Sequence, residues 1–574
     1  MATIPVKVKH AGKVYEVDVD TNSTGEDLML QLYSLTNVEP QNQKISAGKM
    51  IKNDTSLSTI KLKPGQSILL LGKPSADVAI EAPKQQIKFI EDMTDAEIAR
   101  SEGAIPAGLS NTGNTCYANA TLQTLRIIPE LQDVLKTYKP SEGNAAPVAE
   151  SSLFSAEQLA QVGLRGLGGA NDLTSSLRDV YGLMAETQGA VQPIMFLTAL
   201  RQKFPQFAEQ SKDGRGYAQQ DAEEMWSQLV STLHQNLKVT EGEKTAAGFQ
   251  SWVEQYMGGQ LESVTKCDEA PEEEAVTKSE GFHDLKCNIS GETNHLREGI
   301  MTGLDEKIEK RSPTLGRDAM YTKTSRITRL PKYLPIHFVR FFWRRDTSKK
   351  AKILRKVTFQ HEIDALEFCA DSLREKLVPI RDAIREVRKE EEDIERAKKK
   401  RKRNAQEQEE AARTGGKVLT DEPLQKRKEK EDKKNADGDT EMTNGESEVF
   451  KTDAERDAEA VASVKAAKEK LLSLVSPEMA KDSTANQTGL YELRGLITHQ
   501  GASADSGHYT AYVKKTAPPG KAEDGKWWWF NDDKVSEVEH EKIETLSGGG
   551  ETHSALILLY RAVQLPTVEG QDGA

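Results

Sequence analysis

Residues 113–125 read GNTCYANATLQTL, which sets one cysteine directly ahead of a run with helical character. Leu122, Leu125 and Ile128 mark one face of that run, Pro129 stands near its end, and Cys116 falls at or just before the first turn. Amide groups at a helix N-terminus stabilise negative charge, which helps a thiol ionise to the nucleophilic thiolate. Gly108 and Gly113 give the preceding loop conformational freedom, while Asn111, Asn114 and Thr115 offer it side-chain hydrogen bonds. Acyl transfer needs donors aimed at the carbonyl oxygen, and Asn111 is the favoured one. A lone cysteine is more commonly a small buried hydrophobe, so its company must decide.

A thiol is mostly protonated at neutral pH and requires a base. Residues 498–515, THQGASADSGHYTAYVKK, set His508 between a Gly/Ser-rich loop and an alternating strand from Tyr509 to Val513. On spacing alone His499 and His508 both qualify. A third group must hold the imidazole, and KWWWFNDDKVSEV, residues 526–538, supplies Asn531, Asp532 and Asp533 at the far end of an expected hairpin. The parts of a Cys-His-Asn/Asp triad are therefore all present.

The rest of the chain sets the frame. Its 574 residues can form several domains, and an aromatic share of 6% with an apolar share of 37% implies that some segments stay unfolded. Cys116, Cys267, Cys287 and Cys369 lie far apart with no CxxC pair, which argues against a disulfide framework and a zinc knuckle. The net charge of -12 disfavours a nucleic-acid binder. The N-terminus MATIPVKVKH has no apolar signal-peptide core, and no apolar run is long enough to span a membrane. The expectation is a cytoplasmic and nuclear protein without membrane contact.

Residues 3–15 alternate around His10 to Lys13 as a hairpin, Thr24 and Asp27 open a helix carrying Leu28, Leu30, Leu32 and Leu35, and QKISAGKMI and SILLLG supply further strands. That order fits a β-grasp domain over residues 1–75. Residues 76–100 read as a linker, 101–563 as a second domain, and 564–574 as a tail. Within the second domain, 386–485 is a charged insert, disordered or helical. Leu373, Leu377, Ile380, Ile384 and Val387 lead a helix toward it, with a break or a fresh start expected at Pro379. The cluster KKKRKR, 398–403, reads as a solvated charged helix or as a nuclear import signal.

GLSNTGNTCYANATLQTL at 108–125 resembles the cysteine box of the ubiquitin-specific proteases, and GHYTAY at 507–512 with WWWFNDDKV at 527–535 resembles their histidine box. YAQQDAEEMWSQLV, 217–230, is similar to the family's glutamine-rich segment, and SRITRLPKYLPIHFVRFFW, 325–343, to its strand pair. IKLKPGQSILLLG, 60–72, looks like a ubiquitin-like domain. The resemblance implies an α+β protein: an N-terminal β-grasp ubiquitin-like domain, then a papain-like peptidase domain of the fingers-palm-thumb type. It makes Cys116 the nucleophile, His508 the base and Asn111 the oxyanion-hole residue, and sets Asn531 where many members have aspartate. Asp532 is the alternative or supporting carboxylate.

The same resemblance implies cleavage after the C-terminal glycine of ubiquitin or of ubiquitin chains. Gln220, Asp221, Glu223, Glu224, Gly507 and Tyr509 are its expected contacts, and a solvated helix face is the competing reading for the three acidic residues. Ubiquitin-specific proteases often carry two CxxC pairs in the finger; here Cys267 and Cys287 stand alone, so no metal, no cofactor and a finger held by strand pairing are expected. An N-terminal ubiquitin-like domain resembles the proteasome-associated type, which implies docking on the regulatory particle, low activity of the free monomer, and cleft-covering loops near Phe341–Lys352 and Gly501–Ser506. A non-catalytic ubiquitin-binding scaffold is the reading that competes with the enzyme.

Overall fold

The computed structural model describes residues 3–72, 90–140, 172–239, 248–344, 349–414, 453–503, 506–517 and 523–567, apart from positions 37, 61, 102, 212, 213 and 215. They fall into two compact units, Met1–Met93 and Thr94–Ala574.

In the first unit, β1 (Thr3–His10) and β2 (Lys13–Asp20) form a hairpin, α1 (Gly25–Thr36) follows, and β3 (Lys44–Ser46), β4 (Met50–Ile51) and β5 (Ser67–Leu71) complete a sheet of order β2-β1-β5-β3-β4. The two terminal strands β1 and β5 run parallel. Period-two alternation sends Val6, Val8, Val17 and Val19 to one face, where they bury Leu28 and Leu32 of α1. Thr24 and Asp27 bond reciprocally at the helix start, as their spacing predicts.

The second unit opens with α2 (Asp95–Ala99), whose Thr94–Glu97 capping box makes the end of the expected linker helical. Residues 73–89 of that linker lie outside the described set. A helical layer follows: α3 (Cys116–Leu125), α4 (Pro129–Thr137), α5 (Leu173–Met184), α6 (Ile194–Lys203), α7 (Ala222–Asn236) and α8 (Trp252–Tyr256). Leu122, Phe196, Trp226 and Leu229 form its core together with Tyr509, Phe530 and Ile557 of the sheet.

Strands β6 (Gly259–Cys267), β7 (Val276–Phe282), β9 (Asp305–Arg311) and β10 (Asp318–Arg329) make an antiparallel sheet of order β7-β6-β10-β9. Strand pairing is not its whole support, because Glu273 accepts from Tyr321 and Ser312, each at 2.6 Å. Cys287 lies on β8 (Leu285–Asn288), which joins a different sheet and packs below α9 (Leu296–Leu304).

That larger sheet adds β11 (Tyr333–Val339), and after the hairpin β12 (Phe341–Arg344) and β13 (Lys349–Lys352) it takes β14 (Glu362–Asp364). Its remaining strands are β15 (Leu490–Ser503), β16 (Ser506–Lys514), β17 (Trp527–Asn531), β18 (Lys534–Val538) and β19 (Ser554–Ala562), in the order β18-β17-β16-β15-β19-β11-β8 with β14 on β15.

Two helices of the insert precede β15. The chain runs through Pro379 without a break in α10 (Asp371–Thr414), because Leu377, Ile380, Ile384 and Val387 are buried while Pro379 faces outward. Packing of an apolar face outweighs the roughly 3 kcal/mol that a proline costs inside a helix. Helix α11 (Asp453–Leu474) returns antiparallel, pairing Arg401 with Asp457 and Lys468 with Glu391. The 398–403 cluster is thus helical, and residues 415–452 of the insert lie outside the described set. Helices α12 (Pro477–Ala480) and α13 (His540–Glu544) are short.

Candidate active site

The loop ahead of α3 lies against the turn between β17 and β18. A Cβ at Gly108 would come 2.6 Å from the carbonyl oxygen of Asp533, so only glycine permits this approach. Leu109 N–H donates to the Asp532 carbonyl at 2.9 Å. Gly113 (φ +105°) and Asn114 (φ +52°) then turn the chain into the helix, and Asn114 donates to the Tyr217 carbonyl at 3.0 Å.

Cys116 is the first residue of α3 and is only 3% exposed. Burial pushes its thiol up to about 11, against hydrogen bonding from the backbone at Tyr509 and Tyr117; the charge of Asp532 raises it further. The helix N-terminus therefore does not by itself ionise this thiol. It is held protonated, and a base has to take its proton.

His508 stands on β16, one residue from the Tyr509 backbone that reaches Cys116. Its Nε2 lies 2.5 Å from Oδ1 of Asn531, the last residue of β17. This contact separates the two histidines that spacing leaves equivalent. His499, on β15, is buried between Phe341 and Tyr509, with ring centroids at 5.4 and 4.6 Å. Burial, and next the charge of Lys352, pushes His499 down to about 3, so it stays neutral.

Asp532 faces elsewhere. In the left-handed conformation (φ +54°), it accepts from Asn111 Nδ2 at 2.9 Å and from Asn119 Nδ2 at 2.8 Å. The Asn111 oxygen accepts from Gly113 N–H at 2.9 Å and Thr115 N–H at 3.3 Å. Asn111 is thus a brace of the cysteine loop as well as a donor, and the group that meets His508 is Asn531.

The expected ubiquitin contacts divide by what they do in the fold. Asp221 caps α7, accepting from Glu223 N–H at 2.9 Å, and Glu223 lies 3.5 Å from His337 Nδ1. Gln220 and Glu224 flank them, half-buried. Gly507 (φ +129°) fits where a Cβ would meet the Gln500 carbonyl oxygen at 2.1 Å and His499 Nε2 at 2.7 Å. Tyr509 buries its ring and offers its backbone to the thiol.

Both expected covering loops are strand hairpins. Phe341–Lys352 pairs as β12 and β13, and Ser503 pairs with Ser506 at the tip of β15 and β16. Positions 345–348 and 504–505 lie outside the described set. Lys352 joins the hairpins by donating to the His499 carbonyl at 2.7 Å, and burial pushes its ammonium down to about 8.

Three neighbours went unread in the sequence. Asn119 sits three residues past Cys116 on the first turn of the same helix, a spacing that could have flagged it. Lys352 gave no local signal. Neither did His553, whose ring lies 6.4 Å from that of His508 and whose Nδ1 is 3.1 Å from Thr498 Oγ1.

Among the described residues, no helix is long and apolar enough to cross a membrane. Residues 107–560 match the family described as ubiquitin carboxyl-terminal hydrolase, and residues 4–75 match the ubiquitin family. The chain is 39% identical to ubiquitin carboxyl-terminal hydrolase 6 of Schizosaccharomyces pombe, over 97% of this chain and 99% of that one. It is 36% identical to ubiquitin carboxyl-terminal hydrolase 6 of Arabidopsis thaliana (97% and 98%). With ubiquitin carboxyl-terminal hydrolase 14 of Caenorhabditis elegans the identity is 30% (97% and 93%). With these matches along almost the whole chain, the chain belongs to the ubiquitin carboxyl-terminal hydrolase family, the cysteine-type deubiquitinating hydrolases, and carries a ubiquitin-like domain ahead of the hydrolase domain.

Proposed function

We propose that the chain cleaves the peptide or isopeptide bond after the C-terminal glycine of ubiquitin while docked on the proteasome regulatory particle, and so returns ubiquitin from proteasome substrates. Residues 1–75 are the docking module and 101–563 the catalytic domain. The observation that carries the chemistry is the His508–Asn531 contact beside a cysteine thiol that the Tyr509 backbone touches.

His508 takes the proton of the Cys116 thiol as sulfur attacks the carbonyl carbon, and the imidazolium returns that proton to the departing amine, leaving a thioester. Water, deprotonated by His508, then attacks the thioester and frees the ubiquitin carboxylate and the thiol. Asn531 orients the imidazole through its carbonyl but lacks the charge that would stabilise imidazolium. The Asn111 nitrogen carries two hydrogens; Asp532 engages one, and the other serves the oxyanion. Glu224, Asp221 and Gln220 attract the arginines of ubiquitin's tail. Gly507 and Tyr509 line the channel for its last two glycines. A thiol raised by burial and two hairpins joined at His499 support a reading in which the free chain has low activity.

A ubiquitin bearing a C-terminal electrophile tests the reading. Wild type should be labelled, faster with proteasomes present, and Cys116→Ala not at all. Absence of labelling even with proteasomes would leave the scaffold reading in possession.

A further inference from the structure

Cys116 opens α3 and His508 stands near the start of β16; the far ends of these two elements border a surface cavity of about 660 Å³. Arg100, which ends α2, and Arg126, which ends α3, line it together with Lys514, Lys515 and Arg561. None of its described lining residues is Asp or Glu, while Trp528 and Phe530 of β17 supply aromatic wall. The volume is that of a small-molecule site.

Nearby carboxylates leave these cations under-matched. Arg126 gives Nη2 to the Met184 carbonyl at 3.0 Å, and among the described residues neither it nor Arg100 pairs with a carboxylate. Lys514 meets Glu523 at 2.8 Å and also Glu492, but Arg494 claims the same two, with Nη1 at 2.7 Å from Glu523 and 3.0 Å from Glu492. Arg561 has to share Glu492 as well, and reaches it only at 3.8 Å. Lys515 is the exception, matched by Asp524 at 3.2 Å and Glu537 at 2.5 Å.

A second observation is independent of that balance. Arg561 Nε is buried without a hydrogen-bond partner, and so are Nε and Nη2 of Arg494, a guanidinium only 1% exposed. Buried donors are ordinarily satisfied, and a buried charge ordinarily has a counter-charge. Three guanidinium groups and an ammonium around one cavity therefore present unused donors and excess positive charge to whatever enters it.

We propose that this cavity binds a compact anion bearing two or more phosphate groups. Guanidinium forks match phosphate oxygens two at a time, and a multiply charged anion answers several cations at once. The site is distinct from the cleavage site, whose cysteine and histidine lie at the opposite ends of α3 and β16.

The test titrates the full chain with inorganic tripolyphosphate by calorimetry at 150 mM and 500 mM sodium chloride. One anion per chain is expected, bound more weakly at the higher salt. Arg126→Gln and Arg561→Gln should each raise Kd about tenfold or more, whereas Lys399→Gln, in the exposed basic run of α10, should leave it within about twofold. Tripolyphosphate should also change the intrinsic fluorescence, and Trp528→Phe should remove most of that change. No saturable binding, or binding unmoved in both arginine variants, overturns the proposal. Tighter binding of a pentaglutamate peptide than of tripolyphosphate overturns it too, by assigning the cavity to an acidic protein segment. If either arginine variant fails to fold, the exposed Arg100→Gln change, expected to weaken binding several-fold, carries the test.

Discussion

The side-chain amide of Asn111 donates to Asp532 across 2.9 Å, although 421 positions separate them in the chain. The loop before Cys116 and the turn after Asn531 are therefore one unit. Asp532 has a second effect, since its charge adds to burial in raising the thiol. Asp532→Asn keeps the shape and removes the anion, so the Cys116 thiol should ionise at lower pH. Alkylation of the Cys116 peptide, followed by mass spectrometry against pH, should shift toward neutrality. Loss of charge-assisted bonds to Asn111 and Asn119 should cost about 1–2 kcal/mol in urea unfolding. An unmoved alkylation profile would show that Asp532 does not act on the thiol.

The Asn531 side chain meets His508 Nε2 through an uncharged amide oxygen, at 2.5 Å, and is proposed to orient the imidazole. A carboxylate in its place favours the imidazolium, so Asn531→Asp should move the acid limb of kcat/KM for a fluorogenic ubiquitin substrate to higher pH. Asn531→Ala leaves the ring unheld and should lower kcat by about 10² to 10⁴-fold with little change in KM. If the alanine variant keeps full kcat, Asn531 has no role in holding the histidine.

His499 is fully buried, and its pKa falls from an ordinary 6.5 to about 3. The unfolded chain takes up the proton first, so the stability this histidine lends is complete above pH 6.5 and is lost as pH falls toward 3. At about pH 5 the loss is on the order of 2 kcal/mol. His499→Phe should flatten the fall in urea midpoint on the acid side. A variant as acid-sensitive as wild type would rule His499 out as its source.

What the sequence disclosed follows from the range of each interaction. The alternation of Val6, Val8, Val17 and Val19 is local and predicts the first sheet; the glycines and asparagines before Cys116 likewise announce a turn into a helix. His508 and Asn531 could be paired because one short hairpin separates them. Interactions with distant partners left no such trace. Nothing near Asn111 points to Asp532, and nothing near Lys352 points to His499. Pro379 misled because a local rule signals a break, while the burial of Ile380 and Ile384 against Leu471 is tertiary. Cys287 was grouped with Cys267 by sequence proximity, yet a change of sheet lies between them.

Gly507 is an expected contact for the substrate, and the fold itself requires glycine there. With φ at +129° and the Gln500 carbonyl oxygen 2.1 Å from where a Cβ would stand, Gly507→Ala must push β16 from β15 just before His508. Strain of this kind costs about 1–3 kcal/mol. The displacement should show as a fall in kcat of tenfold or more, since a catalytic group moved by about 1 Å loses roughly 10²-fold. Circular dichroism should stay native. A variant with wild-type kcat would mean that the strand tolerates the methyl group.

Among the described residues, the apolar core of the first unit, with Val8, Leu32 and Ile68 in it, runs no further than Leu70, and the two large cores of the second unit begin at Ala107 and at Leu285. Removal of residues 1–75 therefore takes away one whole core. The shortened chain should keep the melting transition of the hydrolase domain and its basal hydrolysis of a small ubiquitin substrate. Because the ubiquitin-like domain is proposed as the docking element, stimulation by added proteasomes should disappear. Stimulation that survives the deletion would transfer docking to the hydrolase domain, and loss of basal activity would show that the two units depend on each other for folding or catalysis.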